Sequence, residues 1–157
     1  MAVDVNELES IPLFSGMDKQ DLNRIASVFR QEHTARDKAL FLQADPAEGF
    51  YVVLTGTVAI RFKPDDGEPL TIAVIEPGGV FGWSSVLGRE RYSSSAVCTT
   101  DCNLIRTDGV KFRALFETFT DSGVMMLTRL SELVSHRYDE TREQIMHLMQ
   151  DNVPSQP

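Results

Sequence analysis

The sequence predicts a mainly β chain, an antiparallel barrel or sandwich of short strands with helices before and after it. Short apolar runs alternate with turn signals from residue 33 to residue 107, and many short strands at this spacing are typical of barrels and sandwiches. No helix-length pattern lies between these runs, which argues against a parallel α/β sheet. Apolar residues at helical spacing occupy residues 1–32 and 108–150 on either side.

Size and charge bound what the chain can do. Its 157 residues are enough for one domain with one core. We place that domain at residues 1–150 and expect residues 151–157, which are polar and contain proline, to be a disordered tail. The formal net charge of −8 argues against nucleic-acid binding, because phosphates are met by clustered Lys and Arg. No stretch approaches the roughly 18 apolar residues of a membrane span, and no secretion signal opens the chain. We therefore expect no membrane association and a cytoplasmic location.

The first helical segment has a clear start. Asp18 is placed to cap a helix, with Met17 and Leu22 at the staple positions on either side of it. This helix is predicted to continue to about residue 32 and to pack one face on the rest of the domain. The apolar positions that form this face follow the i, i+3, i+4, i+7 rule and are Leu22, Ile25, Ala26 and Phe29.

Six apolar runs in the middle segment predict strands, and turn signals separate them. The turns are Asp45-Pro46, Thr55–Thr57, Pro64–Gly67, Glu76–Gly79 and Thr100-Asp101. The predicted strands are Lys38–Gln43, Phe50–Leu54, Val58–Phe62, Leu70–Ile75, Ala96–Thr99 and Asn103–Thr107.

The last segment predicts a short helix and then a long one. Asp108 can cap a helix over Val110–Phe116, and Asp121 or Ser122 can cap a helix that runs to about residue 150. That second helix would be about 40 Å long, whereas a domain of this size is roughly 30 Å across. We therefore predict a homodimer through this helix, the alternative being that the helix folds back along the sheet. The positions that step by three and four, close to a coiled-coil seam, are Leu127, Leu130, Val134 and Thr141.

The order of these elements resembles the cyclic-nucleotide-binding domains, the family of the catabolite-activator and FNR regulators and of kinase regulatory subunits. The motifs that carry the resemblance are Ile11-Pro12-Leu13-Phe14, residues 49–58 (GFYVVLTGTV), residues 76–82 (EPGGVFG) and residues 100–104 (TDCNL). The resemblance implies an antiparallel β-roll or jelly roll (a double-stranded β-helix) with N-terminal helices and a long C-terminal helix. It also implies a sensor for a small ligand such as cAMP or cGMP. Catabolite-activator relatives carry a helix-turn-helix after the long helix, whereas this sequence ends at Pro157, so we expect a stand-alone sensor without a DNA-binding domain.

The resemblance places the ligand site at a short helix that begins after Gly82. The free N–H groups at the start of a helix accept phosphate, and the family adds a Glu for the ribose and an Arg for the cyclic phosphate. Here Trp83 stands at the Glu position and Tyr92 at the Arg position. Arg91 could replace the missing Arg only with a bulge, because a one-residue slip turns a strand side chain to the other face. The ligand-binding residues that the resemblance implies are Gly82, Trp83, Ser84, Ser85, Arg91, Tyr92, Ser93 and Ser94.

Two interpretations of the altered site remain open. In the first, Trp83 and Tyr92 fill the cavity, the site binds no cyclic nucleotide, and the protein is a dimerisation or partner-docking scaffold. In the second, the serines and the charges of Arg89 and Arg91 hold another ligand, and the last helix signals its binding to a downstream partner that the sequence does not name.

No enzyme or metal site is expected. A metal site of the cupin kind needs clustered histidines, and the three histidines are dispersed as His33, His136 and His147. Cys98 and Cys102 form a C-x3-C pair across a turn. We interpret them as buried small residues, with a redox switch as the alternative. No nucleophile elbow or Walker loop is present in the sequence.

Overall fold

The computed structural model describes residues 3–118 and 121–151. The helices are α1 (Val5–Glu9), a 3-10 helix (Pro12–Phe14), α2 (Lys19–Val28), α3 (Trp83–Val86), α4 (Gly109–Thr118) and α5 (Asp121–Asp151). The strands are β1 (Phe29–Thr34), β2 (Ala39–Phe41), β3 (Gly49–Thr55), β4 (Val58–Phe62), β5 (Leu70–Ile75), β6 (Val80–Phe81), β7 (Ser95–Cys98) and β8 (Cys102–Asp108). Within these ranges, no helix combines the length and the apolarity that crossing a bilayer requires.

Two four-stranded sheets form the roll. One has the strand order β1-β8-β3-β6 and the other β2-β7-β4-β5, and every named pair is antiparallel. Helices α1, α2, α4 and α5 flank this roll. The predicted fold, a mainly β antiparallel roll with helices at both ends, is confirmed.

The boundary between the first helix and the sheet was predicted wrongly. Helix α2 ends at Val28, and Phe29 begins β1, which pairs with β8 from Phe29↔Thr107 to Thr34↔Cys102. Phe29 is buried, as predicted for the apolar face of the helix, but it is the first residue of strand β1. No glycine or proline separates α2 from β1, so the long pairing with β8 decides the change of conformation, and sequence spacing does not reveal it.

The other predicted boundaries hold more closely. Strands β4 and β5 have the predicted limits, and Asp108 caps α4 by accepting hydrogen bonds from the N–H groups of Val110 (2.9 Å) and Lys111 (3.4 Å). Strand β6 was not predicted, because its two residues show no alternation. Asp151, placed in the predicted tail, still belongs to α5. Residues 152–157 of that tail lie outside the described residues.

Two apolar clusters share the first sheet. Because successive side chains of a strand point to opposite faces, Phe50 and Val52 of β3 face the helices, whereas Tyr51 and Val53 face the interior of the roll. The helix-side cluster also contains Phe14, Phe29 and Phe112, whose rings meet edge to face. The roll-interior cluster reaches the residues after β6, where the candidate site lies.

Helix α5 lies against its own domain. Met126 and Leu130 are buried in the helix-side cluster, Leu130 with 3% of its surface exposed. Arg129 Nη1 donates to the carbonyls of Pro12 (3.3 Å), Leu13 (3.1 Å) and Ser15 (2.6 Å), in and just after the 3-10 helix. The first turns of α5 are therefore fixed to the N-terminal segment.

The predicted dimer seam needs a correction at Leu130. A stripe with a spacing of three and four packs equally well on a partner helix or on the helix's own domain, and Leu130 packs on its own domain. Val134 lines an internal cavity, Leu127 is 44% exposed, and the side chain of Thr141 lies outside the described residues. The four residues therefore do not form one continuous outer seam.

Candidate ligand-binding site

A cavity of about 350 Å³ opens where α3 meets the interior of the roll. This volume lies within the usual range for small-molecule sites. Six of the eight predicted ligand-binding residues line it, together with one residue of α5. The lining residues are Phe41, Ile60, Ile72, Phe81, Gly82, Trp83, Ser84, Leu87, Arg89, Tyr92, Ser93, Ser94 and Val134.

Gly82 makes the turn from β6 into α3. Its φ of +86° is in the left-handed region, and a Cβ at this position would lie 2.5 Å from the carbonyl oxygen of Gly49. Only glycine fits both constraints. Ser85 Oγ donates to the Gly82 carbonyl at 2.7 Å, so this serine stabilises the turn and does not line the cavity.

Tyr92 builds one wall of the cavity. Its ring stacks on Phe41 with centroids 3.6 Å apart, and its hydroxyl donates to the Gly49 carbonyl (2.6 Å) and accepts from the Gly49 N–H (2.8 Å). Burial raises the pKa of Tyr92 to about 12, so the phenol is neutral at physiological pH. The residue that the resemblance places at the family's Arg position therefore contributes to the cavity wall, and its hydroxyl is already hydrogen-bonded to the backbone.

Trp83 does not fill the cavity with its indole ring. The ring packs on Phe50, with centroids 5.6 Å apart, in the layer between the sheet and the helices. Its Nε1 is buried and has no hydrogen-bond partner among the described residues. Trp83 is thus one of the lining residues of the cavity and also packs against the helix-side cluster.

Arg91 points away from the cavity. Its Nη1 donates to the carbonyl of Ala44 at 2.8 Å, and its backbone bridges to Pro46. Arg91 is therefore not among the residues that line the cavity. The prediction that Arg91 replaces the missing Arg depended on a bulge or a different loop length, and it stays a prediction.

Arg89 is the cation that lines the cavity. It follows Gly88, whose φ of +77° turns the chain after α3, and its N–H donates to the Ser84 carbonyl at 3.0 Å. The sequence analysis noted the charge of Arg89 but did not select it, because a sequence does not show where a turn redirects a side chain. In the sequence, the Leu87-Gly88-Arg89 order directly after the predicted short helix was the signal that the chain could turn before Arg89.

Arg89 is the charged side chain of the lining, and three serines add hydroxyl groups that can donate or accept. No Asp or Glu is among the lining residues. The side chains of Ser84, Ser93 and Ser94 form no hydrogen bond with the described part of the chain, and neither does the Arg89 guanidinium. This set suits a ligand group that is anionic or rich in acceptors.

The two cysteines lie beside each other under the far end of the roll. Both are buried and free, and Cys102 Sγ donates to the Thr57 carbonyl at 3.3 Å. Burial raises the pKa of the Cys98 thiol to about 12, and a neutral buried thiol is a poor nucleophile. Across the described residues, no group of three or more His, Cys, Asp or Glu side chains could hold a metal ion.

The comparison with known families gives the class of the chain. A family model for the cyclic nucleotide-binding domain matches residues 31–119, which is more than half of the sequence. The chain belongs to the cyclic nucleotide-binding domain family. The matched residues include strands β2 to β8 and every lining residue of the cavity except Val134.

Relatives of this cyclic nucleotide-binding domain differ widely in size. The cyclic AMP receptor protein of Thermus thermophilus is 30% identical over 98 residues, which are 62% of this chain and 45% of the receptor protein. The potassium channel KOR1 of rice is 28% identical over 125 residues, 80% of this chain and 15% of the channel. The chain thus spans less than half of the length of either relative.

Solved structures agree on the fold. The catabolite activator protein of Thermus thermophilus aligns with a TM-score of 0.73 and 26% identity, covering 88% of this chain and 63% of that one. A cyclic nucleotide-binding protein from Geobacter metallireducens aligns with a TM-score of 0.75 and 20% identity, covering 87% of this chain and 98% of that one. The second likeness shows the fold alone.

Proposed function

We propose that this cyclic nucleotide-binding domain is a non-catalytic regulatory module that binds a small ligand in the cavity and transmits binding through α5. The observation that carries this proposal is the position of Val134, which belongs to α5 and lines the same cavity as Ser84 of α3 and Ile72 of β5. A ligand in the cavity would therefore touch both the roll and the helix.

The coupling follows from how α5 is held. Its inner face is buried through Met126 and Leu130, and Arg129 fixes it to the 3-10 helix. Val134 lies just beyond these contacts. If α5 has two arrangements and a ligand contacts Val134 better in one of them, the ligand binds that arrangement more tightly. The equilibrium between the two arrangements then shifts by the ratio of the two affinities, and by no more.

Nucleotides are the ligands that family members suggest. Among structures with this fold, the regulatory domain of Toxoplasma gondii PKA was solved with cAMP, and a Trypanosoma cruzi regulatory subunit with guanosine. The Xanthomonas regulator CLP is described as responsive to c-di-GMP. In this chain the phosphate-binding Arg and the ribose-binding Glu are replaced by Tyr92 and Trp83. Loss of one such buried charged partner costs about 2–5 kcal/mol, so we expect cAMP and cGMP to bind weakly.

A thermal-shift series with cAMP, cGMP, c-di-GMP and guanosine tests ligand binding. A ligand present at 100 times its Kd adds about 2.7 kcal/mol to the free energy of unfolding. Hydrogen exchange of the α5 backbone, measured with and without the stabilising ligand, tests transmission, and Val134→Ala should weaken the change in α5 relative to wild type. Binding without any change in α5 exchange would refute the role of the helix.

A second role, dimerisation, is favoured by the outer face of α5. Val124 is 64% exposed, Leu127 44% and Met146 49%, and at 3.6 residues per turn the three lie on one side of the helix, roughly opposite the buried Met126. We expect a second copy of the chain to cover this face. A scaffold that binds no ligand stays the alternative. The cavity of about 350 Å³ and the packing of the Trp83 ring on Phe50 argue against a site filled by aromatic side chains.

A further inference from the structure

One rim of the cavity carries positive charge that the protein does not neutralise. Arg89 lines the cavity, and its guanidinium forms no ion pair or hydrogen bond with the described residues. Arg113 Nη1 lies close to the backbone of Gly88, the residue before Arg89, because a Cβ added at Gly88 would come within 2.9 Å of it. Arg89, with no carboxylate among the lining residues, gives this rim a positive charge that attracts an anion.

Three hydroxyl groups line the same cavity as Arg89. Ser84 is on α3, while Ser93 and Ser94 follow Tyr92 on the approach to β7, and all three line the cavity with side chains that have no described hydrogen-bond partner. Hydroxyl groups beside a cation can complete the hydrogen bonds of a carboxylate or a phosphate oxygen. The polar side of the cavity is thus suited to a single small anionic group.

The rest of the lining offers only apolar surface. Phe41 and Tyr92 are stacked, and Phe81 is 6.1 Å from Phe41, so one wall consists of ring faces. The Tyr92 hydroxyl is already hydrogen-bonded to the N–H and the carbonyl of Gly49, and the other two residues of this wall, Phe41 and Phe81, have no polar side-chain atom. The remaining apolar lining residues are Ile60, Ile72, Leu87 and Val134.

We infer that the preferred ligand of this cavity is a small aromatic carboxylate, an inference that rests on the proposed function of the cavity as a ligand site. The aromatic body lies against Phe41, Tyr92 and the aliphatic side chains, and the carboxylate lies at Arg89 with the serines. A cavity of about 350 Å³ holds one or two fused rings.

The test uses matched probes on the full chain. 2-Naphthoate, its uncharged analogue 2-naphthamide and the non-aromatic cyclohexanecarboxylate are titrated by calorimetry, and each titration is repeated with Arg89→Gln and with Arg91→Gln. We expect naphthoate to bind at least tenfold more tightly than either analogue. Arg89→Gln should weaken naphthoate about tenfold and leave the amide unchanged. Arg91→Gln, an arginine outside the cavity, should change neither.

Each contrary outcome removes a defined part of the inference. Equal affinity for the amide would overturn the anionic group, and equal affinity for cyclohexanecarboxylate would overturn the aromatic body. Naphthoate that binds Arg89→Gln as well as wild type would show a site elsewhere, as would naphthoate that binds the cavity-blocking variant Ile72→Trp. If a nucleotide binds and naphthoate does not, the ligand class is wrong while the sensor function stands. If no probe of either class binds, both fail.

Discussion

The hydroxyl of Tyr92 bonds to both backbone polar groups of Gly49, accepting from the N–H at 2.8 Å and donating to the carbonyl at 2.6 Å. This pair joins the segment before β7 to the start of β3, beside the turn at Gly82. In the family pattern the position of Tyr92 holds a ligand-binding Arg. In this chain Tyr92 forms part of the wall of the cavity, and the consequences of its two hydrogen bonds can be measured.

Replacing Tyr92 by phenylalanine should cost stability. The variant keeps the ring that stacks on Phe41 but leaves the N–H and carbonyl of Gly49 buried without their partner. An unpaired buried polar group costs about 1–3 kcal/mol, and we expect a loss of that size in urea unfolding. Phe41→Leu, which removes the stacking and keeps the hydrogen bonds, serves as the comparison. A Tyr92→Phe variant as stable as wild type would show that the Gly49 pair contributes nothing.

Alkaline pH should remove part of the stability that Tyr92 provides. Burial raises the pKa of this phenol from 10.0 to about 12 in the folded state. Its contribution is therefore complete below pH 10 and is lost as the pH rises from about 10 to about 12. The free energy of unfolding of wild type should fall more steeply over this range than that of Tyr92→Phe, while Cys98 titrates equally in both proteins. Parallel curves would contradict the assigned pKa.

The Cys98 thiol should be unreactive in the folded protein. Burial raises its pKa to about 12, so almost no thiolate exists near pH 8, and the side chain is inaccessible. Mass spectrometry after iodoacetamide treatment should find Cys98 unmodified in native protein and modified in urea. The extent of modification of Cys102, which is buried beside Cys98, is measured in the same samples for comparison. Rapid modification of native Cys98 would revive the redox interpretation.

Two substitutions on α5 should separate its outer face from its inner face. Leu127→Glu adds charge to the exposed face and should convert a dimer to a monomer at micromolar concentration without lowering the melting temperature much. Leu130→Ala empties a position inside the domain and should cost about 2–5 kcal/mol while the dimer is kept. Light scattering and thermal unfolding give the two readouts. A wild-type mass near that of one chain would refute the dimer.

Sequence reasoning located the elements that turns define. Strands β4 and β5 were predicted to the residue, because Pro64–Gly67 and Glu76–Gly79 mark their ends. The change from α2 to β1 has no such marker, and pairing with β8, distant in sequence, decides it. Local sequence predicts secondary structure well where turn residues mark the end of a strand. It fails where pairing with a strand distant in sequence decides between helix and strand.

The site was predicted by position but not by orientation. Gly82 and Tyr92 both line the cavity, and their positions follow from the motifs on either side of the short helix. The side chains of Trp83, Arg91 and Leu130 point to neighbours that a sequence does not identify: Phe50, the carbonyl of Ala44 and the helix-side cluster. For the same reason Arg89, redirected by the turn at Gly88, was noted for its charge and not assigned to the site.

The three hydrogen bonds from Arg129 to backbone carbonyls fix one point of α5, about which the rest of the helix could pivot. At 1.5 Å per residue, Val134 lies about 7 Å beyond this point and Asp151 about 33 Å beyond it. A rigid helix pivoting at Arg129 would therefore amplify a displacement at Val134 about fourfold at its far end. A ligand that displaces Val134 by about 0.5 Å would therefore move the end of α5 by about 2 Å, and this amplification requires no rearrangement of the roll.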